Sequence, residues 1–211
     1  MRELVFFHTA RSNATLFEET AKAQGLTIPR RHVVREDLLA AAREAGTLTP
    51  ELADRAAAAM EEARGDAPFL LCTCSTLGPA ADRLAEQGAP VGRVDRALAA
   101  ATFRLGDRCT VLVTMPSTVA ATRELFRQAA AAAHMVPRMN MILVEGAQDL
   151  FVSGDLDDYH AAIADAIERI PASDGTIVLA QASMAPAAAL TDREVLTSPE
   201  TAIADLQKST A

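Results

Sequence analysis

Short runs rich in Val, Ile, Leu and Phe recur along the chain at residues 4–7, 32–34, 69–73, 110–114, 141–144, 176–180 and 194–196. Between them, residues 14–24, 36–45, 50–63, 79–87, 119–133 and 156–170 set apolar side chains three and four apart with charges between, the period of a helix packed on one face. Strand-sized runs alternating with amphipathic helices predict parallel sheets joined by crossover helices, an α/β fold. Helix-start signals agree: Thr49-Pro50 and Asp155 are placed to cap, and Pro79 and Pro116 sit where a missing N–H costs little.

The pattern also repeats. Residues 69–81 read as an apolar strand, a small polar cluster and Pro-Ala-Ala, and residues 177–188 read the same way, with Gln181 standing 107 positions after Cys74. Val5 to Thr9 leading into Ser12-Asn13 matches Val111 to Met115 leading into Ser117-Thr118. The chain therefore reads as an internal duplication: two pseudo-symmetric, Rossmann-like or flavodoxin-like domains with parallel sheets and an active site in the cleft between them. The first is expected over residues 1–93 plus 190–211, with 195–196 and 199–206 returning to complete it, and the second over 94–189, entered by a helix opening at Val94-Asp95.

Composition narrows the function. At 211 residues and 50% hydrophobic, the chain can bury a sizeable core. A net charge of −8, no basic block and no tryptophan disfavour nucleic acid and anionic membrane surfaces as partners. The apolar runs are too short to span a bilayer, and Arg2-Glu3 before a strand-like run does not read as a signal peptide, so a cytoplasmic protein is expected. Three cysteines, an odd number, argue for free thiols. Cys72-Thr73-Cys74 lacks the Cys-x-x-Cys spacing and the four histidines are scattered, so no metal site is expected. Neither a dinucleotide-binding Gly-x-Gly-x-x-Gly nor a P-loop occurs, and Lys22 and Lys208 are poorly placed for a Schiff base. No cofactor is expected.

Ligands of parallel α/β sheets sit beyond the carboxyl ends of strands. Cys74 falls there, with Ser75 and Thr76 as N-caps of the following helix, whose dipole favours a thiolate and a bound carboxylate. Cys72 lies one rung deeper on the same face and, like Cys109, reads as packing. Thr9, Ser12 and Asn13 after one strand, and Thr114, Ser117 and Thr118 after another, are carboxylate donors or turn formers. His8 is the one candidate for a second base, and His160 reads as surface.

Cys74-Ser75-Thr76 resembles the Cys-Asn-Thr element of the aspartate/glutamate (hydantoin) racemase superfamily, and Gln181-Ala182-Ser183-Met184 aligns with that family's second-cysteine strand. The resemblance implies two pseudo-symmetric α/β domains and cofactor-independent chemistry. It also implies one cysteine that removes an α-proton, another that returns a proton on the opposite face, and strand-end hydroxyls and amides that hold the carboxylate. On this chain the acid/base or nucleophile is Cys74, and Gln181 replaces the second cysteine. Binding falls to Thr9, Ser12, Asn13, Ser75, Thr76, Thr114, Ser117, Thr118, Ala182 and Ser183. The implied function is an isomerase acting next to the carboxylate of a small acid or amino acid, with a homodimer left open. Decarboxylation or cis-trans isomerisation with one cysteine, thiol hydrolysis using His8, and carboxylate binding without catalysis remain alternatives.

Overall fold

Each strand-sized run forms a strand in the computed structural model, which describes residues 3–210 and side chains to residue 208. Arg2, named above, lies outside the described residues. The strands are β1 (Leu4–His8), β2 (Arg30–Val34), β3 (Phe69–Cys72), β4 (Val91–Arg93), β5 (Arg108–Val113), β6 (Arg138–Leu143), β7 (Thr176–Leu179) and β8 (Val195–Thr197). The helices are α1 (Arg11–Ala23), α2 (Glu36–Glu44), α3 (Pro50–Arg64), α4 (Gly78–Glu86), α5 (Val94–Leu105), α6 (Val119–Ala132), α7 (Ala147–Ser153), α8 (Leu156–Glu168) and α9 (Ser198–Thr210). Among the described residues no helix is long and apolar enough to cross a membrane.

Two four-stranded parallel sheets result, ordered β2-β1-β3-β4 and β6-β5-β7-β8. Each places its strands in the same chain order, second, first, third, fourth, so the sequence duplication reappears as a duplicated topology. The chain divides into one unit of Met1–Arg96 with Ala202–Ala211 and another of Ala97–Thr201.

Strand composition explains strand position. β1, Leu-Val-Phe-Phe-His, is buried throughout, as a central strand covered on both faces must be. In the first unit Val5, Phe7, Leu70 and Cys72 pack against Met60 and Leu84, while Phe6 stacks toward Phe17 on the other face. In the second, Val111 and Val113 meet Phe126 on one face, and Leu112 and Leu179 meet Tyr159, Ile163 and Ile167 on the other. The edge strands β2 and β6 begin with arginine and are only partly buried, which discourages edge-to-edge pairing.

Several sequence expectations are corrected. β4 and α7 were not foreseen: β4 is three residues long with Gly92 at its centre, and α7 only seven, both too short to show a period. Residues 195–196 do not return to the first sheet. They lie in β8, which pairs with β7 from Ile177↔Val195 to Leu179↔Thr197 and fills the place that β4 fills in the first sheet. Thr49 does cap α3, accepting from the Leu52 N–H. Asp155 does not cap α8, because its carboxylate accepts from the Ser153 hydroxyl instead. Nor do Ser75 and Thr76 cap α4: a turn intervenes, and Leu77 is the N-cap. The Pro-Ala-Ala echo also parts company here, since Gly78-Pro79 opens an α-helix whereas Ala182–Leu190 is a 3-10 helix with Pro186 inside it.

Candidate active site

In the first sheet the chain moves outward in opposite directions from β1 and β3, so the loops leaving their carboxyl ends diverge and open a crevice there. Cys74 follows β3 at this switch point. It is 7% exposed, and four groups hydrogen-bond its sulfur: the Thr9 hydroxyl from the β1 loop, the Thr76 hydroxyl, and the Thr76 and Leu77 N–H groups. All favour the thiolate, and the last two lie at the N-cap of α4 and in the turn just before it. Burial outweighs them and pushes the Cys74 thiol up, so the dipole expectation holds for the donors but not for the resting proton. Asn13 is 7% exposed at the opening of α1, and its Oδ1 is buried without a partner. A buried amide with an open acceptor is costly unless a ligand supplies the donor.

Cys72 is fully buried in the core beneath Cys74, its Sγ 3.7 Å from the Cys74 carbonyl oxygen, and burial drives its thiol far up. Cys109 is likewise packed and pushed up to about 11. Their packing roles stand. His8 does not fit the part of a second base: it is wholly buried, and both ring nitrogens are engaged, Nδ1 with Thr73 Oγ1 and Nε2 with His32 Nδ1, each at 2.8 Å. Burial and the neighbouring His32 push its pKa down to about 3.

In the second unit the equivalent switch point lies between β5 and β7, and Gln181 follows β7 as Cys74 follows β3. Its Oε1 accepts from the Thr114 N–H at 2.6 Å and from Thr114 Oγ1 at 2.9 Å. A backbone N–H can only donate, which fixes the amide with oxygen toward Thr114 and leaves Nε2 as the donor on the other side of the group. The chain continues. Thr114 Oγ1 lies 3.0 Å from Tyr159 Oη, which lies 2.9 Å from Ser183 Oγ. Since Thr114 spends its proton on Gln181, Tyr159 donates to Thr114 and Ser183 donates to Tyr159, a directed series that polarises the Gln181 amide.

The remaining sites are less engaged. Ser12 is exposed, Ser117 is half-buried, and Thr118 Oγ1 donates to the Met115 carbonyl at 2.7 Å, so its proton is not free for a carboxylate. Ser75 and Ala182 are buried beside Cys74 and Gln181 in the chain. His160 is not a surface residue: half-buried, it lies with Nε2 3.0 Å from the Ser183 carbonyl oxygen. Sequence reasoning missed Tyr159, although a lone tyrosine on the apolar side of an amphipathic helix signals a hydroxyl that needs a buried partner. Among the described residues no group of three or more His, Cys, Asp and Glu side chains is placed to hold a metal.

No family model matches the chain. No curated protein matches it either. Solved structures do. Aspartate racemase from Picrophilus torridus superposes with a TM-score of 0.71 at 12% identity, covering 99% of this chain and 94% of its own. Glutamate racemase from Bacillus anthracis gives 0.74 at 12%, covering 99% and 81%. Allantoin racemase from Pseudomonas fluorescens gives 0.60 at 17%, covering 99% and 90%. Over nearly the whole chain the fold is the one these solved racemase structures share.

Proposed function

We propose that this racemase-fold chain is a cofactor-independent enzyme that moves a proton at the carbon next to the carboxylate of a small acid or amino acid, with Cys74 as the acid/base. The observation that carries the reading is the convergence of the Thr9 and Thr76 hydroxyls and the Thr76 and Leu77 N–H groups on one sulfur. At rest, burial keeps Cys74 as a thiol. The S–H first gives its proton to water, and the thiolate, held by those four donors, takes the α-proton to leave an enediolate; the re-formed S–H exchanges with solvent and returns a proton to the same face of the carbon. Asn13, with its open acceptor, suits an ammonium or amide N–H of the substrate.

Gln181 stands where the second thiol of the resembled racemases would be, and its Nε2 donates a hydrogen bond but transfers no proton near neutral pH. Proton exchange is therefore one-sided. Incubating dicarboxylates, amino acids, hydantoins and malonates with the protein in heavy water, and following deuterium uptake by NMR, tests this. Uptake with retained configuration in one enantiomer, abolished by Cys74→Ala, is expected. Rapid uptake in both enantiomers, or exchange that survives Cys74→Ala, would overturn it. Saturable ligand binding with no exchange would point instead to a carboxylate-binding protein.

A further inference from the structure

A line of polar groups, buried at Thr73 and His8 and part-buried at His32 and Glu18, runs through the first unit apart from the Cys74 sulfur. Thr73 Oγ1 sits 3.1 Å from the Phe7 carbonyl oxygen and 2.8 Å from His8 Nδ1; His8 Nε2 sits 2.8 Å from His32 Nδ1, and His32 Nε2 sits 3.3 Å from Glu18 Oε2. The two rings stack with Phe6 and each other, 5.1 Å between imidazole centroids at 12°. The charged and titratable groups facing the pair come from α1 and β2: Glu18, with Lys22 and Arg30 bound to it. From β3 the facing group is Thr73.

Proton accounting along this line admits two complete arrangements. Arg30 holds Glu18 as a carboxylate, its pKa lowered to about 2, so it only accepts and His32 Nε2 always donates. With His32 neutral, its Nδ1 must accept, so His8 donates from Nε2 and its own Nδ1 accepts from the Thr73 hydroxyl. With His32 protonated, His32 Nδ1–H donates to His8 Nε2, His8 carries its hydrogen on Nδ1 and donates to Thr73, and the Thr73 hydroxyl turns to the Phe7 carbonyl. The second arrangement holds one proton more, taken from water at His32. His8 is neutral in both, as its burial requires. Every contact along the line is used in at least one arrangement, and no buried N–H is stranded in either.

We infer that His8 and His32 are positioning residues: they tie the end of β1 to the end of β3 through a hydrogen-bond chain whose polarity reverses, without breaking, when His32 takes up a proton. Thr9 follows His8 and Cys74 follows Thr73, so the tie holds the Thr9 hydroxyl against the sulfur in both arrangements. The consequence for catalysis rests on the role proposed for Cys74, but the chain itself can be read without substrate. The failures of the two readings are therefore separable.

Long-range 1H–15N correlation spectra of the full chain, recorded over a pH series in which it stays folded, report imidazole tautomers directly. His8 should stay neutral while its hydrogen moves from Nε2 to Nδ1, its two 15N resonances exchanging pyrrole-like and pyridine-like positions, at the midpoint where His32 becomes doubly protonated. Thr73 amide protection should be unchanged across that midpoint once corrected for intrinsic exchange. In Glu18→Gln both midpoints should shift by the same amount, because one proton drives both. A His8 tautomer that never changes, a doubly protonated His8, midpoints that move apart, or Thr73 protection lost as His32 charges would each overturn the inference.

Discussion

At the end of β3, hydrogen bonds converge on a sulfur; at the end of β7, they converge on an amide oxygen. The sheets beneath are ordered alike, so the difference lies in what the side chains do with the same place. Around Cys74 the donors gather on an atom that can change charge, a stabilised leaving place for a proton. Around Gln181 the donors are consumed by a group that cannot, and only the opposite face of the amide is left to act. Duplication supplied two equivalent positions, and the sequence filled one with a thiol and the other with a carboxamide.

The contrast is broken most severely at the sulfur. Cys74→Ala should lower deuterium exchange by about 10²- to 10⁴-fold, the usual worth of a positioned acid/base, while stability falls by only about 1 kcal/mol. Cys72→Ala should do the reverse, costing about 2 kcal/mol of core packing and leaving exchange per folded molecule unchanged. Exchange kinetics beside urea denaturation separate them; equal loss of exchange in both variants would erase the distinction.

A second comparison concerns the helices that follow. Arg93 on β4 lies in register with Cys72, and Thr197 on β8 with Leu179. The Arg93 guanidinium, 3% exposed, is held by Asp95 at 2.6 Å and Asp82 at 2.8 Å, and a Cβ on Gly78 would come within 2.3 Å of it. Gly78→Ala should therefore destabilise by about 3–5 kcal/mol, because it disturbs a buried ion pair. Ala185, the counterpart 107 positions after Gly78 and facing no arginine in the matching register, should tolerate glycine at a cost of about 1 kcal/mol. Denaturation midpoints of the two variants test this.

Converting one strand end toward the other should cost less. Gln181→Cys strands the Thr114 N–H and hydroxyl, a loss of about 1–3 kcal/mol, and adds the second thiol that the proposed one-sided exchange lacks. Measurable racemisation, with deuterium entering both enantiomers, is the expected gain, provided the new sulfur sits within about 1 Å of a productive position. Gln181→Leu should share the stability loss without the gain.

The smallest effect concerns acid. Glu18, drawn down to about 2 mainly by its hydrogen bond to Arg30, contributes fully above its ordinary 4.5 and loses that contribution as pH falls through about 2. Glu18→Gln should flatten the stability of the first unit across that window by less than about 1 kcal/mol, as for a solvent-screened pair near the surface, visible in its amide protection against pH.

Local chemistry was legible because it is written in short stretches. The apolar runs gave seven of the eight strands, and the duplicated grammar placed Cys74 and Gln181 at matching strand ends before any coordinates. Thr9 was found by the same logic, since a hydroxyl just past a strand must lie at its carboxyl end. What failed was short or distant. β4 and α7 have too few residues to display a period, and β8 could have joined either sheet until its backbone bonds chose β7.

The sequence by itself determined an α/β chain built twice, a thiol at one strand end and a carboxamide at the other, because periodicity and residue type act over a few neighbouring positions. Only the tertiary structure decided how those groups are charged and aimed. Tyr159 reaches Thr114 across 45 positions, Thr114 reaches Gln181 across 67, and His8 reaches Thr73 across 65, contacts that no local pattern encodes. Burial, too, is a property of the packed whole. It raised the Cys74 thiol where a helix start suggested lowering, and it turned His8 from a prospective base into a neutral link. A proton's position depends on every group that surrounds it, and those groups meet only when the chain has folded.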